Sequence, residues 1–151
     1  IKQQDIIFVG GGNTKSMLAV WKDWGLDVIL KEAYERGVVM SGVSAGAICW
    51  FEEGVTDSWS EELKVMDCLG FVKGVCCPHY DEEPQRRPSL SKFLTEGVVQ
   101  SCHAVDGGCA LHIENEEEYK AVVFAKDKNA YLVDLEKDAV AEKPYSRIEI
   151  F

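Results

Sequence analysis

Gly42-Val43-Ser44-Ala45-Gly46 fits the pattern G-x-S-x-G, in which a serine sits on a sharp turn between a strand and a helix. Such a turn projects the hydroxyl above the sheet edge, and the flanking glycines remove side chains that would clash in the bend. The Ala45 amide, at the start of the following helix, would then face a developing oxyanion. Five residues alone equally describe a small-residue turn that packs a helix against a strand, so the surroundings decide. A serine hydroxyl needs a base, and the chain offers three histidines. His79, in GVCCPHYDEEP, follows an apolar run that reads as a strand. In a parallel sheet it would emerge at the same carboxyl edge as Ser44, where open α/β sheets place their ligands. The plainer alternative is a loop histidine beside Asp81 and Glu82 with no catalytic duty. His103 and His112 lie inside later β segments and suit local hydrogen bonds. A second oxyanion donor is available from the turn Gly10-Gly11-Gly12, through the amide of Gly11 or Gly12. This turn is no nucleotide loop, because the G-x-G-x-x-G frame fails at Lys15 and no GK[ST] follows.

The elements that must hold these groups are legible in outline. Asp5 to Val9 is a short, β-branched apolar run ending in the glycine turn, which predicts a buried strand. From Thr14, the residues Met17, Val20, Trp21 and Trp24 recur at helical spacing, and Gly25 is placed to end that helix. A second helix is expected from Asp27 to Arg36 with Gly37 as its stop, then a strand from Val38 to Met40. After Ser44 the run AGAICWFEE reads as a helix. Val72 to Cys77 is a further strand, and Ser89 to Glu96 a short helix closed by Gly97. His103 to Val105, Ala110 to Ile113, Ala121 to Ala125 and Ala130 to Leu135 read as a β meander. Strand, helix, helix and strand in that order predict an α/β fold with a mostly parallel sheet flanked by helices.

Composition narrows the partners. With 151 residues and 46% hydrophobic content the chain can build a core of its own, and a single domain over 1–151 is expected. The formal net charge of −10 repels polyanions, so no nucleic-acid partner is expected. No apolar run approaches the ~18 residues of a membrane span, and the start IKQQDIIFVGGG lacks the regions of a signal peptide. A soluble, cytoplasmic protein without a membrane partner follows, its six cysteines reduced. Cys76, Cys77 and His79 cluster, as do Cys102, His103, Cys109 and His112, but neither group has CxxC or HExxH spacing. No metal and no cofactor are expected.

Taken together, VGGGNT, GVSAGAICWFEEG and CPHYD resemble the dipeptidase E family of serine peptidases, the aspartyl dipeptidases related to cyanophycinase. The resemblance runs from Asp5 to about Val133. It implies a sheet of the class I glutamine amidotransferase, flavodoxin-like type, with serine where those amidotransferases use cysteine. It implies Ser44 as nucleophile, His79 as general base and acid, and an oxyanion hole from Ala45 and the glycine turn. Asn13 and Arg86 would bind the substrate, a small peptide with an N-terminal aspartate. Arg86 in EEPQRRPSL holds about the family's arginine position, with Arg87 as competitor, and arginine can clamp a carboxylate bidentately. Without the family, the same arginines read as a solvated loop neutralising Asp81, Glu82 and Glu83.

Two departures follow. The family's third catalytic acid lies just before the segment resembling GCALH, at a position held here by Gly107; Asp106 stands one residue earlier. In a strand that shift reverses side-chain direction. Either the turn adjusts and Asp106 reaches His79, or the site works as a Ser-His dyad, or it has been weakened. Family members also carry strand and helix units before the VGGGN strand. This sheet is therefore expected to be completed by residues upstream, by another chain in a homo-oligomer, or not at all in a reduced variant. The leading expectation is a serine exopeptidase acting on Asp-X dipeptides through an acyl-enzyme. Its rivals are a non-catalytic binding module on the same fold, and an esterase or amidase, whose usual residue order of Ser, acid, His differs from the order here.

Overall fold

The computed structural model describes residues 1–150, and the chain divides after Lys73 into two compact units. The fold is α/β, with sheets flanked by helices.

In the first unit, β1 (Ile6–Val9) pairs in parallel with β2 (Val39–Gly42), with Val9 opposite Gly42. Parallel neighbours need a long return path. It is supplied by α1 (Thr14–Asp23) and α2 (Leu26–Glu35), joined at Gly25, whose φ of 67° is the left-handed conformation a glycine adopts without strain. Leu18 of α1 and Leu30 of α2 are buried with Cys49, Trp50, Cys68 and Phe71, and Ile7, Val9, Met17 and Trp21 pack against that cluster. The β1 run was expected to be buried throughout. Its alternation instead leaves Ile6 and Phe8 exposed while Ile7 and Val9 face the core. Trp24 likewise does not join the inward stripe of α1: it is the residue just past the last turn and is exposed.

α3 (Ala45–Ile48) is a single turn, and the helix expected across AGAICWFEE stops there. Phe51 to Thr56 form β3, antiparallel to β4 (Lys64–Asp67). The extended backbone here has a physical cause. The carbonyls of Trp50, Phe51 and Glu52 accept from Phe71 and Val72, from Gly70, and from Cys68 respectively. Partners distant in sequence thus hold the backbone extended, against local helical preference. Gly54 allows β3 to lie close to α3, since a Cβ there would meet the Ile48 side chain at 2.8 Å.

β5 (Val72–Cys77), of which 74–77 belong to the second unit, is parallel to β6 (Ser101–Val105), with Cys77 opposite Ala104. α4 (Arg86–Thr95) lies between them in sequence and buries Leu90 and Leu94. It begins three residues before the expected Ser89, and Pro88 falls in its first turn, where a missing N–H breaks no helical bond. The segments expected to form one meander fall in β6 and in β7 (Cys109–Glu114), β8 (Glu118–Val123) and β9 (Ala130–Glu136), which divide between two sheets. β7 pairs with β8, and β9 pairs with β6, both antiparallel. Two further strands not read from the sequence extend these sheets, β10 (Ala139–Pro144) antiparallel on β9 and β11 (Ser146–Glu149) parallel to β8. The described cysteines are all free thiols. Among the described residues no helix is long and apolar enough to cross a membrane.

Candidate active site

The expected site residues fall into two sets, one in each unit. In the first, Ser44 has φ 57° and ψ −118°, a backbone region costing a residue with a side chain about 1–3 kcal/mol. The strain is held in place locally. Val43 N–H donates to Val9 O at 3.1 Å, and Gly46 N–H donates to Val43 O at 3.0 Å. A Cβ on Gly42 or on Gly46 would collide with the Val9 carbonyl, so both glycines of the pattern are required by the close approach of β1. A Cβ on Gly11 would stand 3.3 Å from Ser44 Cβ, which puts the glycine turn directly beside the serine. The neighbouring Gly12 has φ 149°. Ser44 Oγ and the amides of Ala45, Gly11 and Gly12 make no hydrogen bond among the described residues. A strained serine beside uncommitted N–H donors is an arrangement that can attack a carbonyl and hold the resulting oxyanion.

Asn13 is engaged within the same unit. Its Oδ1 accepts from Ser16 N–H at 2.9 Å, capping α1, and its Nδ2 donates to Ser58 O at 2.6 Å. Thr14 N–H also donates to Ser58 Oγ at 3.0 Å, so the glycine turn is tied to the segment after β3.

In the second unit, His79 follows β5 through Pro78 and also has a positive φ, 55°. The other non-glycine residues with positive φ lie in the turns of the β-rich carboxyl half. Positive φ outside those turns singles out Ser44, where local preference has been overridden, and His79, in the left-handed region that histidine tolerates better than most side chains. Tyr80 N–H donates to Val105 O at 3.0 Å, and the amides of Glu82 and Glu83 both donate to His79 O, folding 79–83 into one helical turn. That turn brings Glu82 Oε2 to 3.1 Å from His79 Nδ1. An ionised carboxylate only accepts, so against one a neutral imidazole carries its proton on Nδ1 and keeps its lone pair on Nε2.

Asp106 takes a different partner from the one expected. It is buried, and its Oδ2 accepts from Asn129 N–H at 3.0 Å and from Tyr131 Oη at 3.4 Å. No hydrogen bond joins it to His79 among the described residues. Burial raises its carboxyl above the usual range, the Asn129 amide pulls it down, and the nearby Asp81 adds to the rise. Asp81 itself accepts from Gly107 N–H at 2.8 Å and pairs with Lys128. Burial opposes its ionisation, but the bonds from Lys128 and Gly107 outweigh that and hold it below the usual carboxylate range. Arg86 is buried and donates through Nε to Glu83 Oε2 at 2.7 Å. Arg87 donates to both oxygens of Glu142 at 2.6 Å, its guanidinium 4.3 Å from the Tyr80 ring centre. Sequence reasoning named Glu82 only as an acidic neighbour. The i, i+3 spacing of His79 and Glu82 in HYDE was the signal that could have made it the imidazole's partner.

The family described as Peptidase family S51 matches residues 1–120. The chain is 46% identical over 144 residues to the uncharacterized peptidase YgaJ of Bacillus subtilis, covering 95% of this chain and 62% of that protein. It is 30% identical to the uncharacterized peptidase Lin0382 of Listeria innocua over 78% of this chain and 59% of the relative. It is 28% identical to a protein named peptidase E from Haemophilus influenzae over 76% of this chain and 57% of the relative. The chain thus spans about three-fifths of the length of the relatives it matches.

Proposed function

Because this chain belongs to peptidase family S51, we propose that it carries the catalytic residues of a serine exopeptidase that hydrolyses small acidic peptides of the Asp-X type. The observation that carries the reading is the strained Ser44, whose hydroxyl makes no hydrogen bond among the described residues and stands beside the amides of Ala45 and the glycine turn, likewise unbonded there. In the proposed reaction His79 Nε2 takes the Ser44 proton as Oγ attacks the peptide carbonyl. The oxyanion is met by the Ala45 amide and that of Gly11 or Gly12. The imidazolium then gives its proton to the leaving amine, and the same imidazole activates the water that hydrolyses the acyl-enzyme. No cofactor takes part.

Asn13 and Arg86 are proposed as substrate contacts on the strength of the family resemblance. For Arg86 the clamp would be an exchange, in which the substrate carboxylate replaces Glu83 on the guanidinium, since that pair is already made. A second reading, a non-catalytic binding module, is favoured by Gly107 at the position of the family acid. The two are separated with full-length protein and Asp-X dipeptides. The peptidase reading expects turnover, labelling of Ser44 by a fluorophosphonate, and loss of both in Ser44→Ala. Dipeptide binding with neither turnover nor labelling would favour the binding module.

A further inference from the structure

We propose that Glu82 is the positioning acid for His79 in this chain, standing in for the acid that family resemblance places at position 107. The inference rests on the reading of Ser44 and His79 as nucleophile and base, and adds to it a residue that reading did not contain.

Three observations converge. Glu82 Oε2 lies 3.1 Å from His79 Nδ1, on the nitrogen that must carry a proton if Nε2 is to serve as base. A Cβ built on Gly107 would overlap the carboxylate of Glu82 itself, so the Glu82 carboxylate occupies the space a side chain at 107 would enter. The backbone at Gly107 lies outside the positive-φ region that excludes side chains, so the chain path does not demand glycine there. What the glycine provides is room for Glu82. The turn carrying Glu82 is also fixed to residue 107: Asp81 accepts the Gly107 amide and is held from its other oxygen by Lys128. Asp106, the remaining acid nearby, gives Oδ2 to Asn129 and Tyr131, while its Oδ1 is buried and makes no hydrogen bond, to His79 or otherwise, among the described residues.

The chemistry balances without moving a proton to the acid. Glu82 accepts a hydrogen bond from Nδ1–H throughout. When Nε2 takes the Ser44 proton, the imidazolium that forms has a carboxylate against it, which stabilises the charge. The acid reaches the ring from three residues downstream instead of from across a strand end.

Two kinds of measurement on the full-length protein test this. Nitrogen-15 NMR of the His79 ring should show the proton on Nδ1 in the wild type and a mixture of tautomers in Glu82→Gln. Glu82 is exposed enough that this change should leave folding intact. For Asp-X hydrolysis, Glu82→Gln should lower kcat by about 10²–10⁴-fold with KM changed only a few-fold. The double variant Glu82→Ala, Gly107→Asp, which empties the space and returns an acid to 107, should recover at least about tenfold over Glu82→Ala. A tautomer unchanged in Glu82→Gln overturns the proposal, as does kcat within threefold of wild type. Failure of the double variant to recover overturns the claim that Glu82 replaces an acid at 107. The NMR result is independent of turnover, so a Ser44→Ala protein that keeps its activity would sink the peptidase reading while the Glu82–His79 contact was still decided.

Discussion

Ser44 holds a backbone conformation that a glycine would adopt with little cost, and among the described residues its hydroxyl has no hydrogen-bond partner to repay the strain. Selection for packing alone would place glycine there. Ser44→Gly should therefore be more stable than Ser44→Ala by about 1 kcal/mol, the relief of strain being partly offset by the greater freedom of glycine in the unfolded chain. Denaturant midpoints of the two variants measure the difference, and both should lose hydrolysis and fluorophosphonate labelling. Equal midpoints would show that the turn is not strained at this residue. His79 is held differently. Its positive φ lies in the left-handed region histidine tolerates better than most side chains, and the turn it starts returns Glu82 to its own ring. The backbone at Ser44 is thus imposed by neighbouring glycines, and that at His79 by its own local sequence.

At the scale of elements, the end of β1 sets the serine turn, because the Val9 carbonyl fills the space a side chain at Gly42 or Gly46 would need. Gly46→Ala should cost about 3 kcal/mol, since backbone rather than a flexible side chain must move. It should also lower fluorophosphonate labelling of Ser44 in protein that remains folded. Thermal denaturation and labelling rate read the two effects, and an alanine accepted without loss in either would disprove the tight approach. What could be read from the sequence follows the same division between local and distant causes. α1 and α2 were legible because Gly25 and Gly37 punctuate them and apolar residues recur at helical spacing. The serine turn was legible because its glycines are part of the pattern. β3 was misread as helix because its carbonyls are claimed by residues 68–72, a pairing that no local window contains. β4, β10 and β11 read KVMD, AVAEKP and SRIE, short or charged stretches without clear alternation, and they are strands because an edge was there to receive them. The acid beside His79 was obscured for a related reason: the family pattern pointed to 106–107, while the structural answer lay in the space that Gly107 leaves open.

At the scale of the whole molecule, the response to acid should depend on more than the surplus of carboxylates. His103 is buried in the second unit, its Nδ1 2.7 Å from Tyr145 Oη and its ring stacked on Tyr119 and Tyr145. Burial lowers its pKa from 6.5 to about 4. Between those values the unfolded chain binds a proton at this site that the folded chain refuses, so stability rises with pH and is lost as pH falls from about 6.5 to about 4. A shift of that size corresponds to roughly 3 kcal/mol across the window. Asp106 and Glu53 work in the opposite sense, because burial raises their carboxyls and acid relieves that cost. Asp81, held low by Lys128 and Gly107, withdraws its contribution only below the ordinary carboxylate range, beneath the histidine window. The histidine contribution is isolated by comparison with His103→Gln, which bears no titrating group at that site. Urea unfolding from pH 7.5 to 4.5 should show the wild type losing more stability than the variant, by roughly 2–3 kcal/mol at the acid end. Parallel curves would mean that His103 is protonated within the fold, with Tyr145 Oη accepting from the imidazolium, and that acid sensitivity belongs to the carboxylates alone.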